Sequence, residues 1–328
     1  MIISNIQPHK VYNAQPIQKS QVAFCGCNNV EKLGKDVFVG VRKSLIHESA
    51  FFREPESLEF VKSYLLKTFK KPELNIVDGA CSSGYEPYTL AMMFENSGKK
   101  VNITAFDLGE EAIRDAKAGE FGIKKIGNDY YDAMYSEMIS GFSDNYLAFP
   151  SSAKLSEKQQ EYKRLFSEFF TEIPYEEKFS FSEWLKKVLL PKRLQCPILT
   201  KMFKIKPEKA DTCKFLQGDI LKLDEIVPEK SADVLLFRNA LYHLTTREGA
   251  MSMKIQLPEE QVVPVVKQVI NQVDKAVAPN GLFVLGEHTS DHVGVAGSTL
   301  YTELYKHDFS PVYFNSDGSM YLIWKKSK

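Results

Sequence analysis

Short apolar runs alternate along the chain with longer segments whose apolar residues recur at helical spacing. Apolar runs bounded by turn residues predict strands, and apolar positions three and four residues apart predict amphipathic helices. The predicted strands lie at 76–77, 101–107, 214–217, 232–239 and 282–287, and the predicted helices at 57–69, 86–96, 109–117, 259–278 and 298–305. Two further β runs, 311–314 and 320–324, are joined at Asp317-Gly318 as a hairpin. This order predicts an α/β fold with a mostly parallel sheet, helices on both faces and a terminal antiparallel hairpin.

Two segments depart from the alternation. Residues 1–48 are mixed and polar, which predicts a loose tail or short cap; 22–25 could add a β segment, and 36–47 fits a strand or a helix equally well. Residues 49–328 are then predicted to form one domain. Within it, 128–209 is rich in Tyr, Phe, Lys and Glu and has helical periods at 157–170 and 181–189. We expect a mostly helical insertion or lid there.

The charge balance narrows the classes of partner. The 42 Lys and Arg residues equal the 42 Asp and Glu residues, so the formal net charge is zero. Nothing in that total attracts nucleic acid or an anionic membrane, and we expect neither as a partner. No apolar run reaches the roughly 18 residues of a membrane span, and the N-terminus has no apolar signal-peptide core. The prediction is a cytoplasmic protein.

Cysteine and histidine residues form no pattern that is specific for a metal or a disulfide framework. The five cysteines are odd in number and scattered, which favours free thiols in a reducing compartment. His288 and His292 have the spacing of two ligands on one helical turn, but they follow a predicted strand in polar surroundings. We therefore expect no bound metal.

The stretch 75–86, NIVDGACSSGYE, has the order of a strand, a tight loop of small residues and a helix. Such a loop can present backbone N–H groups and a helix N-terminus to a nucleotide-sized cofactor. Asp107 closes the second predicted strand about 20 residues later, where an acid binds ribose hydroxyls. The alternative for Asp107 is a cap of the following helix.

A Rossmann-like site of this kind could serve NAD or S-adenosylmethionine. The loop lacks the G-x-G-x-x-G spacing, and Ala80 and Ser82 carry side chains where phosphate-binding loops need bare backbone. Together with the terminal hairpin, this favours S-adenosylmethionine, which brings no pyrophosphate to the helix end.

Five stretches, in this order, resemble the CheR-type methyltransferases of bacterial chemotaxis: SAFFREPESLEF, GACSSGYEPYTLAMMF, TAFDLGEEAIRDAKAGEFG, ADVLLFRNALYHL and LFVLGEH. The similarity covers roughly 49–122 and 201–290, and the combination is more specific than any one motif. Members of this family transfer a methyl group from S-adenosylmethionine to glutamate side chains of receptors. The resemblance therefore implies a Rossmann-like class I methyltransferase with S-adenosylmethionine as cofactor and S-adenosylhomocysteine as product.

The resemblance also implies roles for matching positions. The residues that it assigns to the cofactor are Ser49, Arg53, Ala80, Ser82, Gly84, Glu86, Asp107, Asp219, Ile220 and Asn239. Among these, Ser49 and Arg53 would contact the methionine part or the reacting centre, Asp107 would bind the ribose, and Asp219-Ile220 would flank the adenine. Arg53 and Asn239 would also act at the methyl group.

The chain departs from the family pattern on the acceptor side. The family's tyrosine beyond the RN pair aligns with His243, although Tyr242 is adjacent. A glutamate nucleophile is ionised at neutral pH and needs no base, whereas for an amine or hydroxyl acceptor His243 is the first candidate base. The alternative for His243 is an ordinary packed histidine.

Three functions remain open at this point. The first is a protein carboxyl methyltransferase, and the second is a methyltransferase acting on another protein side chain or on a small molecule. The third is a module that binds S-adenosylmethionine without turnover. Arg53, Asp107 and Asn239 favour the first two.

Overall fold

The computed structural model describes residues 50–126, 129–132, 156–174, 198–248 and 254–327. The described strands are β1 Glu73–Gly79, β2 Lys100–Asp107, β3 Glu120–Ile126, β4 Asp129–Asp132, β5 Phe170–Ile173, β6 Ile198–Ile205, β7 Cys213–Gln217, β8 Ala232–Leu236, β9 Thr246–Glu248, β10 Lys254–Gln256, β11 Val277–Val284, β12 Phe309–Phe314 and β13 Tyr321–Lys326. The described α-helices are α1 Pro55–Thr68, α2 Tyr85–Phe94, α3 Glu110–Ala118, α4 Glu157–Phe169, α5 Tyr242–Thr245, α6 Glu259–Ala276, α7 Thr289–His292 and α8 Gly294–Lys306.

A seven-stranded sheet in the order β12-β13-β11-β8-β1-β2-β7 forms the centre of the described chain. β1 pairs in parallel with both β2 and β8, β7 adds to β2, and β11 adds to β8. β13 runs antiparallel to both β11 and β12. The five parallel strands therefore end at one edge of the sheet, where this fold class binds its ligands. The predicted α/β sheet with a terminal hairpin is confirmed.

Apolar residues cover both faces of the sheet. Because side chains alternate along a strand, neighbouring residues face opposite layers. Ile76 and Leu236 belong to the layer that includes α1 and α2, whereas Val77 and Leu235 belong to the layer that includes α6 and α8. This arrangement explains why the parallel strands appear in the sequence as continuous apolar runs rather than as alternating ones.

The described parts of 128–209 contain both a helix and strands. The predicted helix at 157–170 is present as α4, which starts with a capping box between Ser156 and Gln159. β5 and β6 join β3 and β4 in an antiparallel sheet of order β4-β3-β6-β5, which the sequence analysis did not anticipate. The predicted helix at 181–189 and the segments at 22–25 and 36–47 lie outside the described residues.

α4 packs against the segment that precedes α1. The Tyr162 ring stacks on Phe52 with centroids 4.3 Å apart, and Phe166 meets Phe51 edge-on at 5.1 Å. The two phenylalanines of the FFRE segment therefore lie in an aromatic cluster, and their backbone is fixed by packing from both sides.

One strand is shorter than predicted. The apolar run 232–239 predicts a strand throughout, but β8 ends at Leu236. Phe237 still donates its N–H to the Val284 carbonyl, at 2.9 Å, and Asn239 then turns into the left-handed region with φ 53°. The change of direction takes Asn239 out of the sheet at its carboxyl edge.

In the described part of the chain, no helix is both long and apolar enough to cross a membrane.

Candidate active site

The loop between β1 and α2 folds tightly over the strand ends. Ala80, Ser82 and Gly84 have φ of 59°, 50° and 91°. Cys81 donates its N–H to the Phe106 carbonyl at 3.1 Å, so the loop is fastened to β2. Left-handed conformation costs a non-glycine residue about 1–2 kcal/mol, and such strain concentrates at functional sites.

Gly84 has a packing role in addition to its conformation. A Cβ at this position would lie 3.1 Å from the Ala116 Cβ on α3. The start of α2 therefore rests against α3 with no room for a side chain. A direct contact of Gly84 with a cofactor stays a prediction.

Asp107 lies at the end of β2 and connects the loop to the next turn. Its Oδ2 accepts the Ser82 N–H at 2.8 Å, and its Oδ1 accepts the Gly109 N–H at 2.9 Å. An ionised carboxylate has about four acceptor positions, so each oxygen can still accept a further donor such as a ribose hydroxyl. These bonds fasten the loop and the turn before α3, but Asp107 does not cap α3, whose N-cap is Gly109 without a side-chain hydrogen bond. The ribose role of Asp107 stays a prediction.

Asp219 and Ile220 follow β7, which is the strand next to β2. Gly218 donates its N–H to the Asp107 carbonyl at 2.9 Å, which ties the two strand ends together. The Asp219 Oδ1 accepts the Leu221 N–H at 2.9 Å, and Ile220 is buried. Both residues thus lie on the side of Asp107 that is away from β1, as the predicted adenine position requires.

A buried guanidinium joins the FFRE segment to the cofactor loop. Arg238 donates from Nη2 to the Arg53 carbonyl at 2.8 Å and to Glu54 Oε2 at 2.9 Å, and from Nη1 to Glu86. Its side chain is 2% exposed. The sequence analysis did not select Arg238 or Glu54 as site residues. The sequence did contain an indication of their role. Charged residues inside an apolar motif are expected to be buried, and buried charges need partners.

The charges in this group stabilise one another. Burial alone raises the pKa of Glu54, but Arg238 and Arg53 outweigh it and hold that pKa below its usual value. Burial likewise opposes the charge of Arg238, and Glu86 and Glu54 overcome it, so the pKa of Arg238 is raised. Arg238 and Glu54 are therefore an ionised pair.

Asp78 is a buried residue near the end of β1 that interacts with Glu86 and Arg238. Burial, together with the neighbouring Glu86 carboxylate, raises the pKa of Asp78 well above its usual value. Its Oδ2 has no hydrogen-bond partner within the described ranges. We conclude that Asp78 is a neutral acid that hydrogen-bonds Glu86, a residue that sequence reasoning also missed.

Asn239 bridges the two sides of the site. Its Nδ2 donates to Glu54 Oε1 at 3.1 Å, and its Oδ1 accepts the His288 N–H at 2.8 Å. Gly286 on the neighbouring segment has no space for a Cβ, which would lie 2.3 Å from the Asn239 amide. The ends of β8 and β11 therefore hold Asn239 in one place.

The other predicted residues of the acceptor side lie around this amide. The Arg53 Nε lies 3.5 Å from Glu54 Oε1, and the side chain is 15% exposed. The Tyr242 ring contacts two imidazoles, with its centroid 3.9 Å from that of His243 and 4.2 Å from that of His288. Ser49, predicted at the methionine part, lies outside the described residues.

The two histidines with metal-ligand spacing have separate hydrogen bonds. His288 Nδ1 is 2.5 Å from Ser290 Oγ. His292 Nδ1 is 2.8 Å from Tyr301 Oη, and its Nε2 is 2.7 Å from the Gly286 carbonyl. In the part of the chain that the structure describes, no three His, Cys, Asp or Glu side chains are grouped so as to bind a metal.

The strand order and the site together define the class. Five parallel strands with a reversed strand beside β11, a strained loop after β1 and an acid closing β2 are the features of a Rossmann-like class I methyltransferase. Residues 47–146 match the family described as CheR methyltransferase, SAM binding domain. The match confirms the predicted resemblance to CheR-type methyltransferases and supports S-adenosylmethionine as the cofactor.

Two curated relatives show the extent of the likeness. The chain is 33% identical over 93 residues to chemotaxis protein methyltransferase 1 of Pseudomonas aeruginosa, a match that covers 25% of this chain and 34% of that protein. It is 29% identical over 101 residues to the chemotaxis protein methyltransferase of Borreliella burgdorferi, covering 27% and 36%. The chain thus spans about a third of the length of the curated relatives it matches.

Solved structures are similar at a lower level. A SAM-dependent methyltransferase of Methanosarcina mazei is 11% identical with a TM-score of 0.36, covering 80% of this chain and 97% of that one. A Pyrococcus horikoshii protein is 14% identical with a TM-score of 0.37, covering 84% and 91%. At these scores the fold assignment rests on the strand order of this chain.

Proposed function

We propose that this protein transfers a methyl group from S-adenosylmethionine to a carboxylate side chain of a protein, in the first instance a glutamate. The observation that carries the proposal is that Glu54, Glu86, Arg238 and Asn239, from three separate motif segments, bond to one another at the carboxyl edge of the sheet. The match of 47–146 to a SAM-binding domain supports the same reading. We also propose residues 49–328 as the catalytic unit, residues 1–48 as a segment outside it, and the cytoplasm as the setting.

The residues present fit the cofactor. When bound, S-adenosylmethionine supplies an electrophilic methyl group on a positively charged sulfur. Asp107, with acceptor capacity left on both oxygens, would hold the ribose hydroxyls, and Asp219-Ile220 would flank the adenine. The loop with Ala80, Ser82, Gly84 and Glu86 would lie along the cofactor between these points and Asn239.

The order of strand ends orients the reaction. With adenine beside β7 and ribose beside β2, the methionine part extends across β1 toward β8, because the ribose joins the two halves of the cofactor. The acceptor then approaches over the ends of β8 and β11. This assigns the acceptor side to Asn239 and its neighbours.

A carboxylate acceptor agrees with the charges there. A glutamate side chain has a reference pKa of about 4.3 and is already a nucleophile at neutral pH. One of its oxygens forms the bond to the methyl carbon as the carbon–sulfur bond breaks with its electron pair left on sulfur, and no proton moves. Arg53 would hold a carboxylate, of the cofactor or the acceptor, by its planar two-pronged donor geometry. The remaining contribution of the chain is alignment.

Labelled methyl transfer tests the proposal. The full chain, methyl-labelled S-adenosylmethionine and bacterial protein fractions should give labelled protein whose label is released as methanol in mild base, because carboxyl methyl esters are labile. Arg53→Gln should abolish the labelling, whereas Arg114→Gln, at an exposed helix position, should leave it unchanged.

The other functions give different results. Base-stable label would point to an amine or hydroxyl acceptor, and His243→Phe would then test the predicted base. Cofactor binding with no labelled product in any fraction would favour a sensing module. Either outcome contradicts the carboxylate proposal.

A further inference from the structure

We infer that His288 forms the acceptor subsite and that its Nε2–H donates a hydrogen bond to the carboxylate that receives the methyl group. This inference rests on the proposed function. It assigns a role to a histidine that the resemblance leaves without one. The oxygen held by His288 would be the one that does not attack, so that the other oxygen stays available as the nucleophile.

The position of His288 follows from the strand ends. Its backbone N–H donates to Asn239 Oδ1 at 2.8 Å, so residue 288 is one hydrogen bond from the predicted methyl position. Glu287, the preceding residue, donates its N–H to Glu54 Oε2 at 3.3 Å. The segment after β11 is thereby fixed to the same acid and amide that anchor the FFRE and RN motifs.

The ring of His288 is oriented before any ligand arrives. It stacks on Tyr242 with an interplanar angle of 9°, and its Nδ1 lies 2.5 Å from Ser290 Oγ. In the tautomer that we assign, Ser290 donates to Nδ1 and the ring proton is on Nε2. Within the described ranges Nε2 has no protein partner, in contrast to His292, whose two nitrogens are both engaged.

The surrounding charges keep this imidazole neutral. Burial lowers the pKa of His288, Arg53 and His292 lower it further, and Glu54 opposes them. Tyr242 stacks on the ring and also contacts His243, and Glu287 is the adjacent carboxyl. A neutral donor can bind a carboxylate without forming an ion pair. This matters because an ion pair would reduce the nucleophilicity of the carboxylate oxygens.

The two histidines that contact the Tyr242 ring differ in their backbone hydrogen bonds. The His288 N–H donates to Asn239 Oδ1, whereas the His243 N–H donates to the Ala240 carbonyl within its own segment. We therefore assign the acceptor contact to His288 rather than to His243.

Histidine-selective NMR on the full chain tests the inference without a known acceptor. The ring signals of His288, assigned by their loss in His288→Gln, would be titrated in the S-adenosylmethionine and S-adenosylhomocysteine complexes. The two ligands differ by the methyl group and its positive charge. A charge close to a half-buried ring should make the pKa of His288 lower by about one pH unit or more in the S-adenosylmethionine complex.

A matched control and a second probe complete the test. His307, bonded to Asp274 at the opposite edge of the sheet, should give the same ring signals in both complexes. In the S-adenosylhomocysteine complex, N-acetylglutamate amide should raise the pKa of His288, and the neutral N-acetylglutamine amide should not.

The outcomes separate this inference from the function on which it rests. Equal pKa values for His288 in the two complexes, with both ligands bound, would overturn the inference and leave the proposed function in place. A response to the cofactor but none to the carboxylate would overturn the assigned acceptor contact. Failure of both cofactors to bind would overturn the inference and the proposed function together.

Discussion

At the scale of single residues, the site is marked by backbone strain. Eight non-glycine residues in the described chain have positive φ, and five of them belong to this site: Phe52, Glu54, Ala80, Ser82 and Asn239. Each such conformation costs energy and persists only where the surroundings fix it. Their concentration at one edge of the sheet agrees with a preorganised site rather than with irregular loops.

The clearest case is Ala80, whose φ of 59° places a side chain in the left-handed region. Ala80→Gly should raise the free energy of unfolding by up to about 1 kcal/mol, because relief from the left-handed conformation exceeds the entropy cost of glycine. Urea denaturation measures the change. Ala118→Gly, at an exposed position of α3, is the control and should lose up to about 1 kcal/mol. Equal losses at both positions would contradict the argument.

Asp107 is the residue whose charge bears most directly on the cofactor. Asp107→Asn should weaken S-adenosylhomocysteine binding about ten- to hundred-fold, because hydrogen bonds to a charged acceptor are worth about 1.5–3 kcal/mol. Isothermal titration measures the affinity, with circular dichroism to check the fold. Asp224→Asn removes the charge from exposed contacts with Lys275 and Gln272 and should bind as the wild type does. An unchanged affinity in Asp107→Asn would leave this acid only with its bonds to the Ser82 and Gly109 N–H groups.

At the scale of elements, the sequence predicts the strands better than their ends. β1, β2, β7 and α6 were predicted within two or three residues, because their apolar periods extend through the whole element. The end of β8 was placed too late, since Phe237 still continues the apolar run although the strand ends at Leu236 and Asn239 leaves the sheet. A turn forced by hydrogen bonds to distant residues leaves no local pattern. The strands within 128–209 were missed because they too depend on pairing with distant residues, as β6 does with β3.

The close contact between Gly286 and Asn239 can be tested by adding one methyl group. Gly286→Ala should displace the Asn239 amide and break its bond from the His288 N–H, because the new Cβ would lie 2.3 Å from that amide. Hydrogen exchange at the His288 amide should become at least about tenfold faster, which corresponds to 1.4 kcal/mol of lost protection. Gly98→Ala, with φ 73° and no atom within 4 Å, should lose only backbone stability and leave that exchange unchanged. Unaltered protection in Gly286→Ala would show that Asn239 is not held by this contact.

At the scale of the whole molecule, the buried charges connect the two halves of the sheet. Arg238→Met should lower the free energy of unfolding by about 3–5 kcal/mol, because Glu54 and Glu86 would remain buried without their cation. Arg114→Met removes an arginine that is 67% exposed and should change stability by no more than about 0.5 kcal/mol. Chemical denaturation compares the two. A small effect at Arg238 would mean that water reaches these acids.

The sequence allowed the fold and the cofactor to be predicted, because both follow from local motifs, and the contacts of single residues with the cofactor stay predictions. It did not allow the partners of those residues to be predicted. Arg238 and Glu54 are 184 positions apart along the chain, and Asp78 looks in sequence like one more residue of a strand. Such pairings depend on which strand ends become neighbours, so they appear only once the strand order is known.

Asp291 makes stability depend on pH. It is fully buried, it accepts the Tyr242 N–H at 2.5 Å through Oδ1, and burial raises its pKa from 3.8 to about 7. The folded chain therefore keeps a proton that the unfolded chain has lost, so the stability contributed by this group falls as pH rises from about 4 to about 7 and then levels.

Asp291→Asn tests this dependence, because the asparagine side chain has no proton to lose. Its stability relative to the wild type should increase over that interval by several kcal/mol at most, since each pH unit corresponds to about 1.4 kcal/mol. Denaturant unfolding at a series of pH values measures this difference, and Asp317→Asn, at an exposed turn, should show no such increase. A difference that is constant from pH 4 to pH 7 would mean that Asp291 is already ionised in the folded protein, and the start of α5, with Tyr242 and His243, would then be held by a charge.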